Sequence, residues 1–333
     1  MKALVTGGAG FIGSNLCRAL VENGWDVIVL DDFSAGFREN LLETLNSARS
    51  NHAELLVGDC TKSEDVRKAL EGVEVVFHLA ANPEVRIEFN SPANCFRQNV
   101  YATHVLLEAF RSSSAHTIIF TSTSAIYGEA SVLPTPEYYA PLEPISVYGA
   151  SKLAGEVLVT SYCRAFDKRG IILRLANVVG PKSNHGVVHD FVSKLRQNPR
   201  QLEILGDGTQ AKSYLYVDDC VDALLRACRS SQNDVEIFNV GSEDLMDVKR
   251  VAMIVSEEMR LNDVSLEFVQ GALDGRGWVG DVKNMLLDIT RIKTTGWNPR
   301  YTSEQAIRLA TRSVVLPTYV PTLEQTSIDI GRS

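Results

Sequence analysis

A tyrosine and a lysine lie four residues apart in the stretch SVYGASK, at Tyr148 and Lys152. In a helix this spacing brings both side chains to one face, where the ammonium would favour the phenolate and lower the pKa of the phenol. An isolated tyrosine, with a pKa near ~10, is a poor base at neutral pH. The pair therefore suggests a proton-transfer site. The alternative is a tyrosine packed on its helix and a lysine that extends to solvent.

Hydroxyl side chains precede this pair in the segment TSTSAIYG, at the predicted end of a strand. Thr123 and Ser124 could hold a substrate hydroxyl beside the phenol. A base, a charged partner and a positioning donor are the groups that a hydride-transfer site needs. The three groups together favour the catalytic interpretation of Tyr148 and Lys152.

A glycine-rich turn near the N-terminus could bind the nucleotide cofactor of such a reaction. Gly7, Gly10 and Gly13 follow a short strand and open an amphipathic helix. They permit a tight turn, a close backbone approach to a pyrophosphate and close helix packing, while the helix N-terminus supplies amide donors. Asp31, after the second strand, would accept hydrogen bonds from the adenosine ribose, which favours NAD over NADP. The alternative makes Asp31 and Asp32 a solvated loop pair or a helix cap.

Alternating strands and helices in the first half of the chain would position these groups. Buried strands that alternate with helices indicate a parallel sheet covered on both faces. The sequence therefore predicts an α/β fold, a doubly wound parallel sheet of the Rossmann type with a smaller, mixed C-terminal substrate domain. The predicted elements are strands at Lys2–Thr6, Trp25–Asp31, Ala53–Asp59, Glu74–Ala80, His116–Thr123 and Gly170–Asn177, and helices at Phe11–Gly24, Thr61–Glu71, Pro92–Arg111 and Val147–Lys168.

The change of pattern after this half predicts where the domains divide. We expect an NAD-binding domain over residues 1–177, with a returning strand near 236–241. Residues 178–316 would form mainly the substrate-binding domain. Residues 317–333 lack a strong pattern and could be a loose tail.

The composition disfavours several other classes of protein. The chain has 333 residues and a net charge of −8 without a basic cluster, which argues against nucleic acid as a partner. It has neither an apolar run of about 18 residues nor a cleavable signal pattern, so we expect no membrane span and a cytoplasmic location. The six cysteines are scattered, which predicts reduced thiols. His185 and His189 lack the glutamate of a zinc motif, so we predict no metal.

Several motifs, in this order, resemble those of the extended short-chain dehydrogenase/reductase family. They are TGGAGFIG, Asp31, Asp59, HLAA, Asn99, TSTSAIYG, YGASK and RLANVVGP. Within that family the chain is most similar to nucleotide-sugar epimerases of the UDP-galactose 4-epimerase kind. The resemblance implies NAD as the cofactor, a nucleotide sugar, most simply a UDP-sugar, as the substrate, and a homodimer formed by the helices at 92–111 and 147–168.

The resemblance also implies roles for individual residues. Tyr148 would be the base, Lys152 would contact the nicotinamide ribose, and Thr123 would hydrogen-bond the sugar 4-hydroxyl. The complete predicted cofactor set is Gly7, Gly10, Phe11, Ile12, Gly13, Asp31, Asp32, Ser34, Gly36, Asp59, Cys60, Leu79, Ala80, Ala81, Asn99, Tyr148 and Lys152. The predicted substrate set is Thr123, Ser124, Asn177, Val187, Val188, Lys212, Tyr214, Arg276 and Asp281. The family usually has arginine where this chain has Lys212.

The residues after Thr123 discriminate between reactions in that family. The 4,6-dehydratases usually carry an Asp-Glu pair there and the UDP-glucuronate decarboxylases a Glu, whereas this chain has Ser124, Ala125 and Ile126. We therefore predict an NAD-dependent UDP-sugar 4-epimerase of the UDP-glucose/UDP-galactose type. It would invert C4 through a 4-keto intermediate, with Tyr148 as the only acid–base group. The alternatives are a UDP-glucuronate 4-epimerase, a decarboxylase, a 4,6-dehydratase and, more remotely, a non-catalytic NAD sensor.

Overall fold

The computed structural model describes residues 1–46, 52–86, 91–230, 233–269, 271 and 275–316. The predicted tail over 317–333 lies outside the described residues. In chain order the strands are β1 (Lys2–Thr6), β2 (Asp26–Asp31), β3 (Ala53–Val57), β4 (Val75–His78), β5 (Thr117–Thr123), β6 (Arg169–Leu175), β7 (Asn177–Val179), β8 (Gln201–Leu205), β9 (Ala211–Lys212), β10 (Tyr214–Tyr216), β11 (Val235–Val240), β12 (Met246–Asp247), β13 (Ser265–Val269) and β14 (Asn284–Met285).

Helices connect most of these strands. They are α1 (Phe11–Glu22), α2 (Leu42–Leu45), α3 (Ser63–Ala69), α4 (Pro92–Cys95), α5 (Ala102–Phe110), α6 (Val147–Ala165), α7 (Val187–Gln197), α8 (Val217–Ser230), α9 (Val248–Glu258), α10 (Thr290–Lys293) and α11 (Ser303–Val315). Short 3₁₀ helices cover Arg38–Leu41 and Ser124–Tyr127, and a π-helical stretch over Phe96–Tyr101 joins α4 to α5. No helix in the described part of the chain is long and apolar enough to cross a membrane.

Seven strands form one sheet in the order β11-β6-β5-β4-β1-β2-β3, and every neighbouring pair is parallel. The strand order reverses at β1, which pairs with β2 on one side and with β4 on the other. A ligand binds such a sheet outside the carboxyl ends of the strands at this switch point. The predicted doubly wound fold is therefore confirmed.

Both faces of the large sheet are covered by helices because neighbouring residues of a buried strand point to opposite faces. In β1, Val5 belongs to the apolar core that contains Leu16 of α1, while Leu4 belongs to the core on the other face with Leu106 and Phe110 of α5. Apolar cores therefore flank the paired strands β1 and β4 on both faces of the sheet at the switch point.

The smaller region has short sheets and a third apolar core. Strand β9 pairs antiparallel with β12 and parallel with β14, so this sheet is mixed. Helices α7, α9 and α11 supply Val192, Val251 and Ile307 to the core beside it. Strand β11 returns to the large sheet and pairs with β6. This returning strand joins the smaller region to the large sheet.

Candidate active site

A cavity of about 770 Å³ lies at the carboxyl ends of the large sheet and extends to the smaller region. Its walls come from the turn after β1, the ends of β2, β4 and β5, the start of α6, and segments around α7, β9 and β14. Every residue predicted to bind the cofactor or the substrate lines this cavity except Asn99 and Arg276.

The turn after β1 has the shape of a pyrophosphate cradle because its backbone leaves no room for side chains. A Cβ atom on Gly13 would lie 2.2 Å from the Gly7 carbonyl oxygen, and one on Gly7 would lie 2.7 Å from the Ala80 nitrogen. Gly7 also has a φ of 70°, a conformation that L-residues with side chains rarely adopt. The turn opens directly into α1, whose N-terminus favours an anion. These features fit the diphosphate of a dinucleotide.

Asp31 fixes this turn to the end of β2. One carboxylate oxygen accepts a hydrogen bond from the Ala9 amide at 2.9 Å, and the other accepts from the Phe33 amide at 2.8 Å. Burial raises the pKa of Asp31, and the two amide donors oppose that rise. Each carboxylate oxygen keeps a second lone pair, so the group can also accept from a ribose hydroxyl in the cavity that it lines.

The tyrosine–lysine pair lies at the start of α6. Ser146 caps this helix, and its hydroxyl accepts a hydrogen bond from the Gly149 amide at 3.0 Å. Tyr148 therefore occupies the first turn, with Lys152 one turn further on the same face. The Lys152 side chain is buried, and its Nζ atom lies 4.6 Å from the centre of the Phe120 ring. The predicted geometry of the pair is present.

The ionisation of the phenol differs from the expectation that its neighbour would lower the pKa. Burial raises the pKa of Tyr148 to about 12, and a hydrogen bond with the Thr123 side chain only partly opposes this rise. Burial also lowers the pKa of Lys152 to about 8. The prediction that the protein alone lowers the pKa of Tyr148 is therefore wrong. Loss of water disfavours the phenolate more than the hydrogen bond with Thr123 stabilises it.

Thr123 and Ser124 lie where β5 passes into the 3₁₀ turn Ser124–Tyr127. The Thr123 hydroxyl caps this turn and accepts a hydrogen bond from the Ala125 amide at 3.2 Å. Both residues line the cavity, and no carboxylate is present in this turn. The turn therefore offers hydroxyl groups to a bound substrate.

Asn99 and Arg276 do not line the cavity, because their polar groups contact other parts of the protein. The Asn99 side-chain oxygen accepts from the Asn82 amide at 2.7 Å, and its nitrogen donates to the Ser151 hydroxyl at 2.9 Å. Arg276 forms an ion pair with Glu129 at 3.0 Å. Asn99 therefore joins the loop after β4 to α6, and Arg276 donates a hydrogen bond to the backbone carbonyl of Asp281, a lining residue, at 3.1 Å.

The end of the cavity next to the smaller region contains a partly buried ion pair. The Lys212 ammonium on β9 binds the carboxylate of Asp281, and both residues line the cavity. The other oxygen of that carboxylate accepts from the Gly277 amide at 3.3 Å. Asp281 therefore holds the ammonium in place and also fixes the turn before it. This link between β9 and the 275–281 segment was not part of the expectation from the sequence.

The sequence analysis did not assign every residue of this cavity to a ligand. Glu84, Arg86 and Trp278 are among the lining residues that it missed. The Trp278 ring lies 5.8 Å from the Arg86 guanidinium and 5.4 Å from the Lys212 ammonium, measured to the ring centre. The position of Glu84 and Arg86 soon after β4 could have indicated them, since parallel strands present such loops to the ligand. No local pattern indicates Trp278.

The two histidines of the spacing His-x-x-x-His, His185 and His189, also line the cavity. Burial lowers the pKa of His185. Within the described residues, no group of three or more His, Cys, Asp or Glu side chains could hold a metal ion.

Comparison with known proteins identifies the family. The model of the NAD-dependent epimerase/dehydratase family matches residues 3–241. The chain belongs to this family. It is 41% identical to a UDP-galactose 4-epimerase of known crystal structure, with a TM-score of 0.83 over 96% of this chain and 100% of the other. It is 34% identical to a putative UDP-glucose 4-epimerase of Methanocaldococcus jannaschii, over 92% of this chain and 95% of that protein.

Family members with other substrates and reactions are also similar. The chain is 28% identical to the UDP-glucuronic acid 4-epimerase of Bacillus cereus, crystallised with UDP-glucuronic acid and NAD, with a TM-score of 0.84 over 94% of this chain and 99% of the other. Relatives include a UDP-glucuronic acid decarboxylase and dTDP-D-glucose 4,6-dehydratases. The chain is thus an enzyme of the nucleotide-sugar epimerase family with NAD as its cofactor, and the glycine cradle fits that cofactor.

Proposed function

We propose that the chain is a UDP-sugar 4-epimerase that interconverts UDP-glucose and UDP-galactose. The observation that carries this proposal is the cavity-lining turn after β5. It places hydroxyls beside Tyr148 and Lys152, and it has none of the carboxylates that the 4,6-dehydratases and decarboxylases usually carry after this strand. Simple inversion at C4 needs only one acid–base group, so this set of residues suffices.

The proposed reaction starts with the sugar 4-hydroxyl bound between Thr123 and Tyr148. Tyr148 accepts the hydroxyl proton as hydride leaves C4, and it returns the proton after the 4-keto sugar has turned about its diphosphate. NAD, when bound, supplies the acceptor and donor of that hydride and a positive charge beside the phenol. The buried Lys152 ammonium would contact the nicotinamide ribose of that cofactor and add to this charge. Together these charges offset the burial that holds the pKa of Tyr148 at about 12.

The two ends of the cavity take different parts of the reacting complex in this proposal. Residues 1–177 and the returning strand bind NAD, and 178–316 bind mainly the nucleotide sugar. Lys212 and the nearby Arg276 contribute positive charge for the diphosphate, and Asn177 binds it from the start of β7. The remaining nucleotide contacts come from Val187, Val188, Tyr214 and Asp281. Their position in the lining of the cavity supports these roles for all except Arg276, which lies outside the lining and is hydrogen-bonded to the Asp281 carbonyl.

We also propose a homodimer formed through α4, α5 and α6. Apolar side chains are exposed on α6, directly after it, and on the π-helical stretch between α4 and α5, namely Val157 and Phe96, each 59% exposed, and Phe166 and Tyr101. A second copy of this chain would bury them in a four-helix contact. Sedimentation of the purified protein tests this proposal, and a monomer at micromolar concentration would refute it.

The activity is tested by incubation with UDP-galactose, UDP-glucuronate and UDP-N-acetylglucosamine, with products followed by NMR and no cofactor added. We expect inversion at C4 of UDP-galactose without net oxidation. Inversion of UDP-glucuronate alone would move the proposal to the uronate enzyme. If no nucleotide sugar is inverted, even with NAD supplied, the epimerase proposal fails.

A further inference from the structure

A third ionisable residue follows Tyr148 and Lys152 along α6. Glu156 lies one turn beyond Lys152, which itself lies one turn beyond Tyr148. Glu156 is 3% exposed and Lys152 is 4% exposed, so both charges are removed from water. A buried carboxylate is expensive unless it is paired and hydrogen-bonded. Its position next to the lysine of the active site therefore needs an explanation beyond helix packing.

Arg174 of β6 holds this carboxylate in place. Its Nη2 atom lies 2.8 Å from one Glu156 oxygen, and its Nε atom lies 3.0 Å from the other. Such a two-pronged contact sets the orientation of the carboxylate. Buried ion pairs of this kind add little to stability compared with well-packed apolar side chains. The pair is therefore better explained by what it does to its neighbours.

The other side of the Arg174 guanidinium is hydrogen-bonded to the 3₁₀ turn Ser124–Tyr127, which follows Thr123. Its Nη1 atom donates to the Tyr127 hydroxyl at 2.8 Å, and that hydroxyl donates to Asn239 of β11 at 2.7 Å. Tyr127 closes the turn that begins directly after Thr123. The guanidinium thus has a fixed place between α6 and this turn, and it cannot rotate away from Glu156.

The groups around the Lys152 ammonium leave one strong source of negative charge. Burial lowers the pKa of Lys152 to about 8, and Glu156 on α6 and Cys95 on α4 oppose this. His78 of β4, whose pKa burial lowers to about 3, is neutral at physiological pH. Tyr148 is neutral while its pKa stays raised. Glu156 is the one carboxylate that acts on Lys152 among these groups.

We propose that Glu156 is a positioning residue that keeps the buried Lys152 ammonium charged, and that Arg174 limits this effect by holding and partly neutralising the carboxylate. The proposal rests on the proposed function, in which a charged Lys152 assists Tyr148. According to this proposal, Glu156 raises the pKa of Lys152 and Arg174 lowers it. An ion pair that served only to stabilise the fold would not shift the pKa of Lys152 in these two directions.

The test measures the ionisation of Lys152 in the full-length protein without any turnover. Lysine Cε resonances are followed by NMR from pH 6 to 11, and the spectrum of Lys152→Met identifies the signal. We expect Glu156→Gln to lower the Lys152 midpoint by about one pH unit and Arg174→Gln to raise it, because an opposite charge shifts a pKa by one to three units. Glu258→Gln, which removes a carboxylate paired with Arg308 and Arg312 elsewhere, is the matched control and leaves the midpoint unchanged.

Each outcome decides the proposal. If Glu156→Gln does not fold, the double variant Glu156→Gln/Arg174→Gln replaces the pair by two amides, and its midpoint must also fall. The proposal is overturned if the Lys152 titration midpoint of both single variants equals that of the parent protein, or if it moves in the same direction in both. This holds even if the variants are thermally less stable. Because no sugar is converted, failure of the epimerase activity leaves this test intact, and C4 inversion with an unmoved midpoint refutes this inference alone.

Discussion

The cofactor end and the substrate end of the cavity differ in the groups that form their walls. At the cofactor end the turn after β1 is a wall of backbone and small side chains, and a Cβ atom on Gly13 would collide with the Gly7 carbonyl at 2.2 Å. At the substrate end the wall carries charged side chains that already bind one another, as Lys212 binds Asp281. A second ion pair, between Arg276 and Glu129, lies outside the lining.

This difference determines how each end can change. A backbone cradle has no rotamers, so it has one shape, and a substitution either fits or fills it. Ion pairs on long side chains can exchange partners when a diphosphate enters, at a small cost in free energy. We infer that the cofactor end is preformed and selects NAD by its shape, whereas the substrate end adapts and sets the choice of sugar.

The largest expected effect lies where the two ends meet. Tyr148→Phe removes the acid–base group, and we expect kcat to fall by about 10²- to 10⁴-fold, the usual contribution of such catalysis. NAD remains bound because the phenyl ring keeps its packing. Steady-state kinetics and the NAD content of the purified protein measure both. Tyr138→Phe, at an exposed site, should behave like the parent; an active Tyr148→Phe protein would remove Tyr148 from the mechanism.

The next largest effect is expected from a substitution in the glycine turn of the cofactor end, which should weaken NAD binding. Gly13→Ala places a methyl group in the cradle, which costs about 1–3 kcal/mol and weakens NAD binding by roughly 10- to 100-fold. Gly24→Ala is the control, because Gly24 has a φ of 77° but no atom within 4 Å of its Cβ position. Calorimetric titration with NAD compares the two. Equal NAD affinities would contradict a preformed cradle.

A smaller effect should separate the substrate end from the cofactor end. Lys212→Gln removes the positive charge but can still hydrogen-bond Asp281, and we expect KM for the UDP-sugar to rise by about tenfold. NAD affinity stays unchanged. The control is Lys283→Gln, which breaks an ion pair with Asp207 that does not line the cavity. A loss of NAD binding in Lys212→Gln would show that the two ends are not separable.

The smallest expected effect concerns the aromatic wall. Trp278→Ala removes the ring that lies between Arg86 and Lys212, an interaction of about 0.5–1 kcal/mol at partly exposed sites, so KM should change by a few fold. The ratio of kcat/KM for UDP-N-acetylglucosamine to that for UDP-galactose measures its influence on the choice of sugar. Trp278→Phe keeps an aromatic ring and should restore the parent ratio. An unchanged ratio in Trp278→Ala would remove Trp278 from substrate selection.

The same difference explains which parts of the site the sequence predicted. The glycine turn, Asp31, Tyr148 and Lys152 are specified by short spacings on one strand or helix, and local geometry then places them. The fold followed from the alternation of buried strands and helices. These features are fixed within about thirty residues of chain, the length of one strand–helix–strand unit.

The remaining features depend on contacts between distant segments. Lys212 and Asp281 are far apart in sequence, and only the packing of β9 against β14 makes them partners. Asn99 has the residue type of a cofactor ligand, but its amide is used by Asn82 and Ser151. The raised pKa of Tyr148 reflects burial, which the spacing of Tyr148 and Lys152 does not reveal.

The central claim is that hydride leaves C4 and returns to C4 within one site. UDP-galactose with deuterium at C4 tests it directly, in ordinary water and without added cofactor. We expect the enzyme to convert it to UDP-glucose that keeps the deuterium at C4. Inversion with loss of the deuterium to solvent would contradict it, because the carbon would then have exchanged a proton rather than a hydride.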